Sequence, residues 1–319
     1  MELAAPAVSS AIGSPTMLEP AGAEASKVLE LFWLLLSGSV VIWLLIVGAT
    51  WYATHWPPRA YSERLGRRLI LFGGVVVPTV LLLAVAVLGL SLMAELRSAV
   101  PEMTVRITGE QYWWRAEYLD PDGSVVLETA NEIVIPKDAA VALELVTADV
   151  IHSFWVPALA GKVDMIPGRV NRLVLEARRT GTFRGQCAEF CGDSHALMAL
   201  RVRVLDPPGY AAWQDRERRA AAVPETAEER RGQSLFLAYG CGACHRIRGT
   251  PAAGRVGPDL THLAARARLA ADTLANEPAS LLSWLRHPQT IKPGVEMPSF
   301  AMLEHGQLGA IVGYLRSLE

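Results

Sequence analysis

Cys187-Ala188-Glu189-Phe190-Cys191-Gly192-Asp193-Ser194-His195-Ala196-Leu197-Met198 gathers two thiols, an imidazole and a thioether into a single stretch of chain. Soft sulfur and imidazole donors in one loop favour copper, whose mixed sulfur and nitrogen sites serve electron transfer. A Cys-x3-Cys pair alone also suits a structural disulfide in an oxidising compartment, but a disulfide has no use for His195 and Met198 at these offsets. A second imidazole is needed to complete such a site. His152, in Asp149-Val150-Ile151-His152-Ser153-Phe154-Trp155, follows an apolar run where a β fold can bring it alongside.

The residues on either side of the loop alternate with a strand-like period. Thr104–Ile107, Asn131–Ile135, Ala140–Val146, Arg172–Glu176 and Ala199–Val204 are separated by turn residues such as Pro121-Asp122-Gly123 and Pro167-Gly168. Short strands with no amphipathic helix between them predict a compact all-β sandwich or barrel over residues 100–206. The aromatic cluster Tyr112-Trp113-Trp114 follows its opening strand.

A second motif lies downstream. Cys241-Gly242-Ala243-Cys244-His245 is the covalent attachment sequence of a c-type haem, with two thioether bonds and an adjacent proximal His. A thioether on the opposite face would raise the potential, and Met297, in Glu296-Met297-Pro298, is the candidate, with Met302 as its rival. Ala227–Tyr239 and Gln307–Leu318 read as terminal helices, with Gly232, Phe236 and Tyr314 at their crossing, so residues 227–319 form an all-α domain. Residues 207–226 form a connector, helical in part over residues 209–222; wholly flexible, it would reach about 25 Å r.m.s. and hold one centre near the other at mM effective concentration.

Upstream, residues 31–54 and 69–93 contain no charged side chain, and each is long enough to cross a bilayer as a helix. Pro78 should kink the second span. Between them the loop 55–68 holds Arg59, Arg64, Arg67 and Arg68 against Glu63, so it should face the cytoplasm. The segment 1–30 and everything after the second span would then lie outside, in the multi-pass topology of a bacterial-type inner membrane. The first residues lack a basic start followed by an apolar stretch, so no cleavable signal is expected.

Composition agrees. The 319 residues are 51% hydrophobic and 19% charged, with four Cys and a formal net charge of −2, which excludes disorder and a strong basic field for nucleic acid. Residues 226–319 hold ten basic and eight acidic side chains and residues 100–206 hold eleven and fifteen, a weak complementarity of sign.

The two spans, the segment Leu18-Glu19-Pro20-Ala21-Gly22, the aromatic cluster, Lys162-Val163-Asp164-Met165-Ile166-Pro167-Gly168-Arg169 and the cysteine loop together resemble subunit II of the haem-copper cytochrome c oxidases. The resemblance implies a transmembrane hairpin carrying a cupredoxin barrel with a binuclear copper A centre. Cys187 and Cys191 would bridge the coppers, His152 and His195 would bind one each, Met198 would be a weak axial ligand, and the Glu189 carbonyl would coordinate the other copper. It further implies a magnesium ion on the Glu189 side chain at the contact with subunit I. The haem segment is similar to class I cytochromes c, which implies Met297 as axial ligand and a hydrogen bond from His245 to the Pro258 carbonyl in Gly257-Pro258-Asp259-Leu260. Where the family often has an entry tryptophan this chain has Tyr112, leaving Tyr112, Trp113 and Trp114 as candidates for the electron path.

The expected function is electron entry to a terminal oxidase: an external donor, such as a cytochrome, then haem c, copper A and subunit I, where dioxygen is reduced to water with proton pumping. Oxygen chemistry is not expected on this chain. Two other readings are a nitric oxide reductase-like complex, and a membrane copper-handling protein without catalysis. His55, His262, His287 and His305 read as packing or surface residues, and Met165 as apolar core.

Overall fold

The computed structural model describes residues 16–56, 62–96 and 100–319, which form two compact units, residues 26–100 and the remainder. The start of the N-terminal segment 1–30 and residues 57–61 of the basic loop lie outside the described residues.

In the smaller unit α1 (Ala23–His55) is followed by α2 (Glu63–Leu71) and α3 (Val77–Leu96), joined by a single π-helical turn at Phe72–Val76. Helical runs Ala23–His55 and Glu63–Glu95 are each 33 residues long and apolar enough to cross a membrane. An ion pair between Lys27, near the start of α1, and Glu95, near the end of α3, brings these two ends together. Immediately before Pro78 stands the π turn, where Val77 N–H reaches back to the Phe72 carbonyl. Proline cannot donate to the preceding turn, and a widened turn takes up that mismatch.

The larger unit begins with residues 16–25 and contains two five-stranded sheets. One has the order β3 (Val125–Ala130), β2 (Trp113–Leu119), β1 (Met103–Glu110), β5 (Ala140–Thr147), β8 (Asn171–Glu176). The other has β4 (Glu132–Pro136), β10 (Ala199–Leu205), β9 (Gly181–Cys187), β6 (His152–Trp155), β7 (Val163–Met165). β1 pairs parallel with β5, and β10 with β4; the remaining pairs are antiparallel. Alternation along β1 turns Val105 and Ile107 into a core shared with Trp114, Ile133, Ile135, Leu143, Leu145 and Phe154. Half-polar strands of this kind bury one face and leave the other for solvent or a neighbour. Ala21 and Gly22 add an edge contact through the Gly22–Ala177 bridge and the Ala21 N–H bond to the Ala158 carbonyl.

The connector is not a free tether. Asp206 caps α4 (Pro207–Glu217), and Tyr210 and Trp213 are buried on the barrel, with Trp213 5.2 Å from the Tyr118 ring. After it the Ala221 amide bonds to the Arg248 carbonyl and both His262 nitrogens bond carbonyls, of Glu319 and Arg219. Two buried aromatics and a Pro-Pro start outweigh the entropy of a loose segment, so the large reach of a flexible chain does not apply.

The C-terminal residues form α5 (Ala227–Ala238), the short α6 (Cys241–Cys244), a small ribbon of β11 (Arg268–Leu269) and β12 (Leu274–Ala275), then α7 (Pro278–Arg286), α8 (Pro288–Ile291) and α9 (His305–Arg316). A Thr226–Glu229 capping box starts α5. α5 crosses α9 at Gly232, where the Ala310 carbonyl occupies the space of a Cβ, and beside it the Phe236 and Tyr314 rings meet edge to face at 5.9 Å.

Candidate metal and haem centres

The cysteine loop, the candidate copper site, hangs from the ends of β9 and β10. Cys187 closes β9, its amide bonded to the Met198 carbonyl at 2.9 Å, and the Ala188 amide bonds to the Ser153 carbonyl of β6. That register brings His152, fully buried, beside the loop. Gly109 of β1 leaves room for the imidazole, since a Cβ there would lie 2.8 Å from the ring.

The donors form a chain. His152 Nδ1 lies 3.8 Å from Cys187 Sγ, the two Sγ atoms are 3.9 Å apart, and Cys191 Sγ lies 3.6 Å from His195 Nδ1 and 3.8 Å from Met198 Sδ. The Glu189 carbonyl oxygen is 3.2 Å from Cys187 Sγ. A disulfide would need sulfurs about 2.05 Å apart, so the thiols are free. Separations of this size, between soft donors with the sulfurs buried, suit ligands sharing metal ions at bonds of about 2.0–2.3 Å. His152, Cys187 and Cys191 also stand together as a possible metal-holding group.

Electrostatics prepares the donors. Contact with Cys191 holds the Cys187 thiol well below its ordinary range, and the same contact, reinforced by burial, pushes Cys191 up. Burial disfavours charge on His152, but its contacts with Cys187 and Asp149 outweigh this and raise its pKa. His152 Nε2 bonds Asp149 Oδ1 at 2.7 Å, which fixes the ring with Nδ1 toward sulfur. The sequence reading missed Asp149, although a carboxylate three residues before a candidate ligand histidine was a usable signal. The Glu189 side chain is exposed.

In the haem segment, Gly240 turns with φ 77° into α6, which carries Cys241 half-buried and Cys244 exposed. His245 Nδ1 bonds the Pro258 carbonyl at 2.9 Å, and a Cβ on Gly257 would lie 2.5 Å from His245 Cε1. This cradle holds the ring by its back nitrogen and leaves Nε2 as the free donor; burial lowers the His245 pKa, favouring neutral imidazole. Met297 packs against the C-terminal core, whereas Met302 is 76% exposed. A thiol pair, an oriented imidazole and a half-buried thioether fit a covalent haem.

The boundary between barrel and haem domain was not legible in the sequence. Arg255 pairs with Glu117 and Glu128 of the barrel, and Arg115 with Glu128 and Glu110. With the opposite sense, Asp272 of the haem domain pairs with Arg184 and Arg201. Net-charge complementarity therefore does not describe the contact, which is a mosaic of local pairs. Of the aromatic candidates, Tyr112 is covered at this boundary, Trp113 stacks under Arg115 at 4.7 Å, and Trp114 is fully buried with its ring 6.2 Å from that of His152.

The model of the cytochrome c oxidase subunit II periplasmic domain matches residues 104–205, and that of cytochrome c matches residues 229–319. A cytochrome c oxidase subunit 2 of Alkalihalophilus pseudofirmus is 37% identical over 215 residues, 67% of this chain and 61% of its own. The Branchiostoma floridae subunit 2 is 36% identical over 160 residues, 44% of this chain and 69% of its own. A crystal structure of the periplasmic domain of subunit II of cytochrome oxidase from Bradyrhizobium japonicum is 33% identical, covers 37% of this chain and 95% of that one, and gives a TM-score of 0.35. The chain spans 61–64% of the length of the bacterial subunits 2 it matches.

A cupredoxin-like domain and a cytochrome c domain, following two apolar helices, fit a membrane-anchored protein and imply binding of copper and haem c. The chain belongs to the cytochrome c oxidase subunit 2 family.

Proposed function

We propose that this chain is the electron-entry subunit of a terminal oxidase, with copper A held by His152, Cys187, Cys191, His195, Met198 and the Glu189 carbonyl, and haem c held by Cys241, Cys244, His245 and Met297. When bound, the two groups supply reversible one-electron acceptors, so that the order of transfer is external donor, haem c, copper A, subunit I, ending in dioxygen reduction coupled to proton pumping. The observation that carries this reading is the coexistence of both donor sets in one compact unit.

The chain's own residues do the work of holding and orienting. Asp149 orients His152, and the Pro258 carbonyl orients His245. The barrel core fixes the cysteine loop at both ends, which keeps ligand movement small on a change of charge. Burial of Cys187, Cys191 and Met198 excludes water from the sulfurs. The exposed Glu189 carboxylate is available to a magnesium ion at the contact with subunit I. The basic loop supports the cytoplasmic side for residues 55–68, with the metal-bearing domains opposite.

Metal and haem analysis of the purified complex tests the reading. Beyond the metals of subunit I, two coppers and one covalent haem per chain are expected, with Cys187→Ser losing those two coppers and keeping the covalent haem, and both Cys187→Ser and Cys244→Ser losing donor-driven oxygen uptake. Full donor-driven oxygen uptake by a complex lacking those two coppers or the covalent haem would overturn it, and nitric oxide reduction without oxygen uptake would transfer the chain to the other class of reductase.

A further inference from the structure

Lys292 is 2% exposed, at the boundary between the haem domain and the barrel. Burying an ammonium costs several kcal/mol unless its donors are used, and lysine is almost never fully buried without a partner. Its Nζ donates to the Tyr112 carbonyl at 2.6 Å and to the Ala270 carbonyl at 3.1 Å, one acceptor from each domain. Burial pushes its pKa down to about 7. Either form keeps two N–H donors for those carbonyls.

The residues after it continue the contact. The Ser194 hydroxyl, next to His195 in the copper loop, donates to the Pro293 carbonyl at 2.6 Å. Gly294, at φ 78°, passes over the Tyr112 ring, where a Cβ would lie 3.1 Å from Oη. Tyr112 Oη in turn accepts the Asp193 amide at 3.0 Å, and the Gln111 side chain donates to the Cys191 carbonyl at 2.5 Å. Three residues beyond Gly294 comes Met297. A single segment, residues 292–297, therefore carries the candidate axial ligand of one centre at one end and grips the loop of the other centre at its opposite end.

We propose that Lys292 is a positioning residue for transfer between the two centres, a latch that ties the Met297 segment to Tyr112 and holds the haem domain over the copper loop in one geometry. The latch also covers Tyr112, so an external donor is denied that ring. The proposal rests on the electron-entry reading above.

The test uses the full-length oxidase complex carrying Lys292→Met, which keeps the length of the side chain and removes its donors. Amide exchange at Asp193 should rise roughly tenfold or more while the β1 amides of Val105 and Ile107 stay unchanged. After photoreduction of the haem, the rate constant for reducing copper should fall by roughly tenfold or more, the scale that an ångström of misplacement imposes on chemistry needing fixed geometry. A loss of folded protein lowers the amplitude of that phase and leaves its rate constant unchanged. Ser194→Ala, which cuts the second tie, should move both readings in the same direction, and it stands in if the lysine variant fails to load metal. Unchanged exchange, or an unchanged rate constant in fully loaded variant, overturns the proposal. Absence of haem-to-copper transfer in the wild type overturns the electron-entry reading instead, while the exchange measurement still judges the latch.

Discussion

Asp272→Asn removes the charge at the centre of the inter-domain cluster and little else. The carboxylate is 7% exposed and lies 2.6 Å from Arg201 Nε, 3.2 Å from Arg184 Nε and 3.5 Å from Arg268 Nε. Asp272 sits at φ 68°, a left-handed conformation that asparagine tolerates as well as aspartate, so backbone strain does not enter the comparison. Arg201, itself buried, would face a neutral amide. Breaking a buried pair by removing one partner costs about 3–5 kcal/mol. Arg184 and Arg268 are about one-third exposed and partly solvated, so the loss of domain docking should be discounted to about 2–4 kcal/mol. At about 1.4 kcal/mol per factor of ten, this is a fall of roughly 30- to 1,000-fold in protection of a docking-dependent amide. The Ala267 amide, which donates to Glu132 Oε1 across the boundary at 2.8 Å, is the reporter. Hydrogen exchange followed by mass spectrometry on wild type and variant reads the ratio directly. A change below about threefold, or an effect that vanishes in moderate salt as exposed pairs do, would refute the reasoning.

Three further outcomes are expected. Asp149→Asn should weaken copper retention by about 10- to 100-fold against a competing chelator, because the ring of His152 loses the carboxylate that orients it. Gly257→Ala drives a methyl group against His245, so the covalent haem should be lost or its iron ligation altered in optical spectra, with copper content unchanged. Trp213→Ala empties a buried site between α4 and Tyr118 and should destabilise the barrel by about 3–5 kcal/mol in denaturant unfolding, where a shift under 1 kcal/mol would show that the connector helix is only loosely held.

What the sequence displayed was local chemistry and period. The alternation of Thr104–Ile107 and Ala199–Val204 is written by side chains two apart, and both runs are strands of the barrel. The haem sequence is contiguous, so its chemistry can be read without the fold. His152 could be nominated because a copper site lacked an imidazole, and the fold brings its Nδ1 within 4 Å of Cys187, at 3.8 Å. The rest depends on partners distant in sequence. Gly109 matters only because β1 passes the imidazole, and nothing around Gly109 announces that. Lys292 and Asp272 look like ordinary surface charges until the domains meet, 180 residues separating Lys292 from Tyr112. Charge totals failed for the same reason, since Arg255 and Asp272 dock with opposite senses. The connector looked loose because its Pro, Ala and Arg content hides two aromatics, Tyr210 and Trp213, that bind it to the barrel.

The most direct trial of the relay is rapid mixing of the anaerobic complex with one equivalent of reduced external cytochrome, while the haem and copper absorptions are followed separately. Haem should be reduced first, with copper reduction appearing as the haem signal decays, and a Cys241→Ser/Cys244→Ser complex that retains its copper should take up electrons far more slowly. Copper reduction at the wild-type rate in that haem-free complex would contradict a path through haem c.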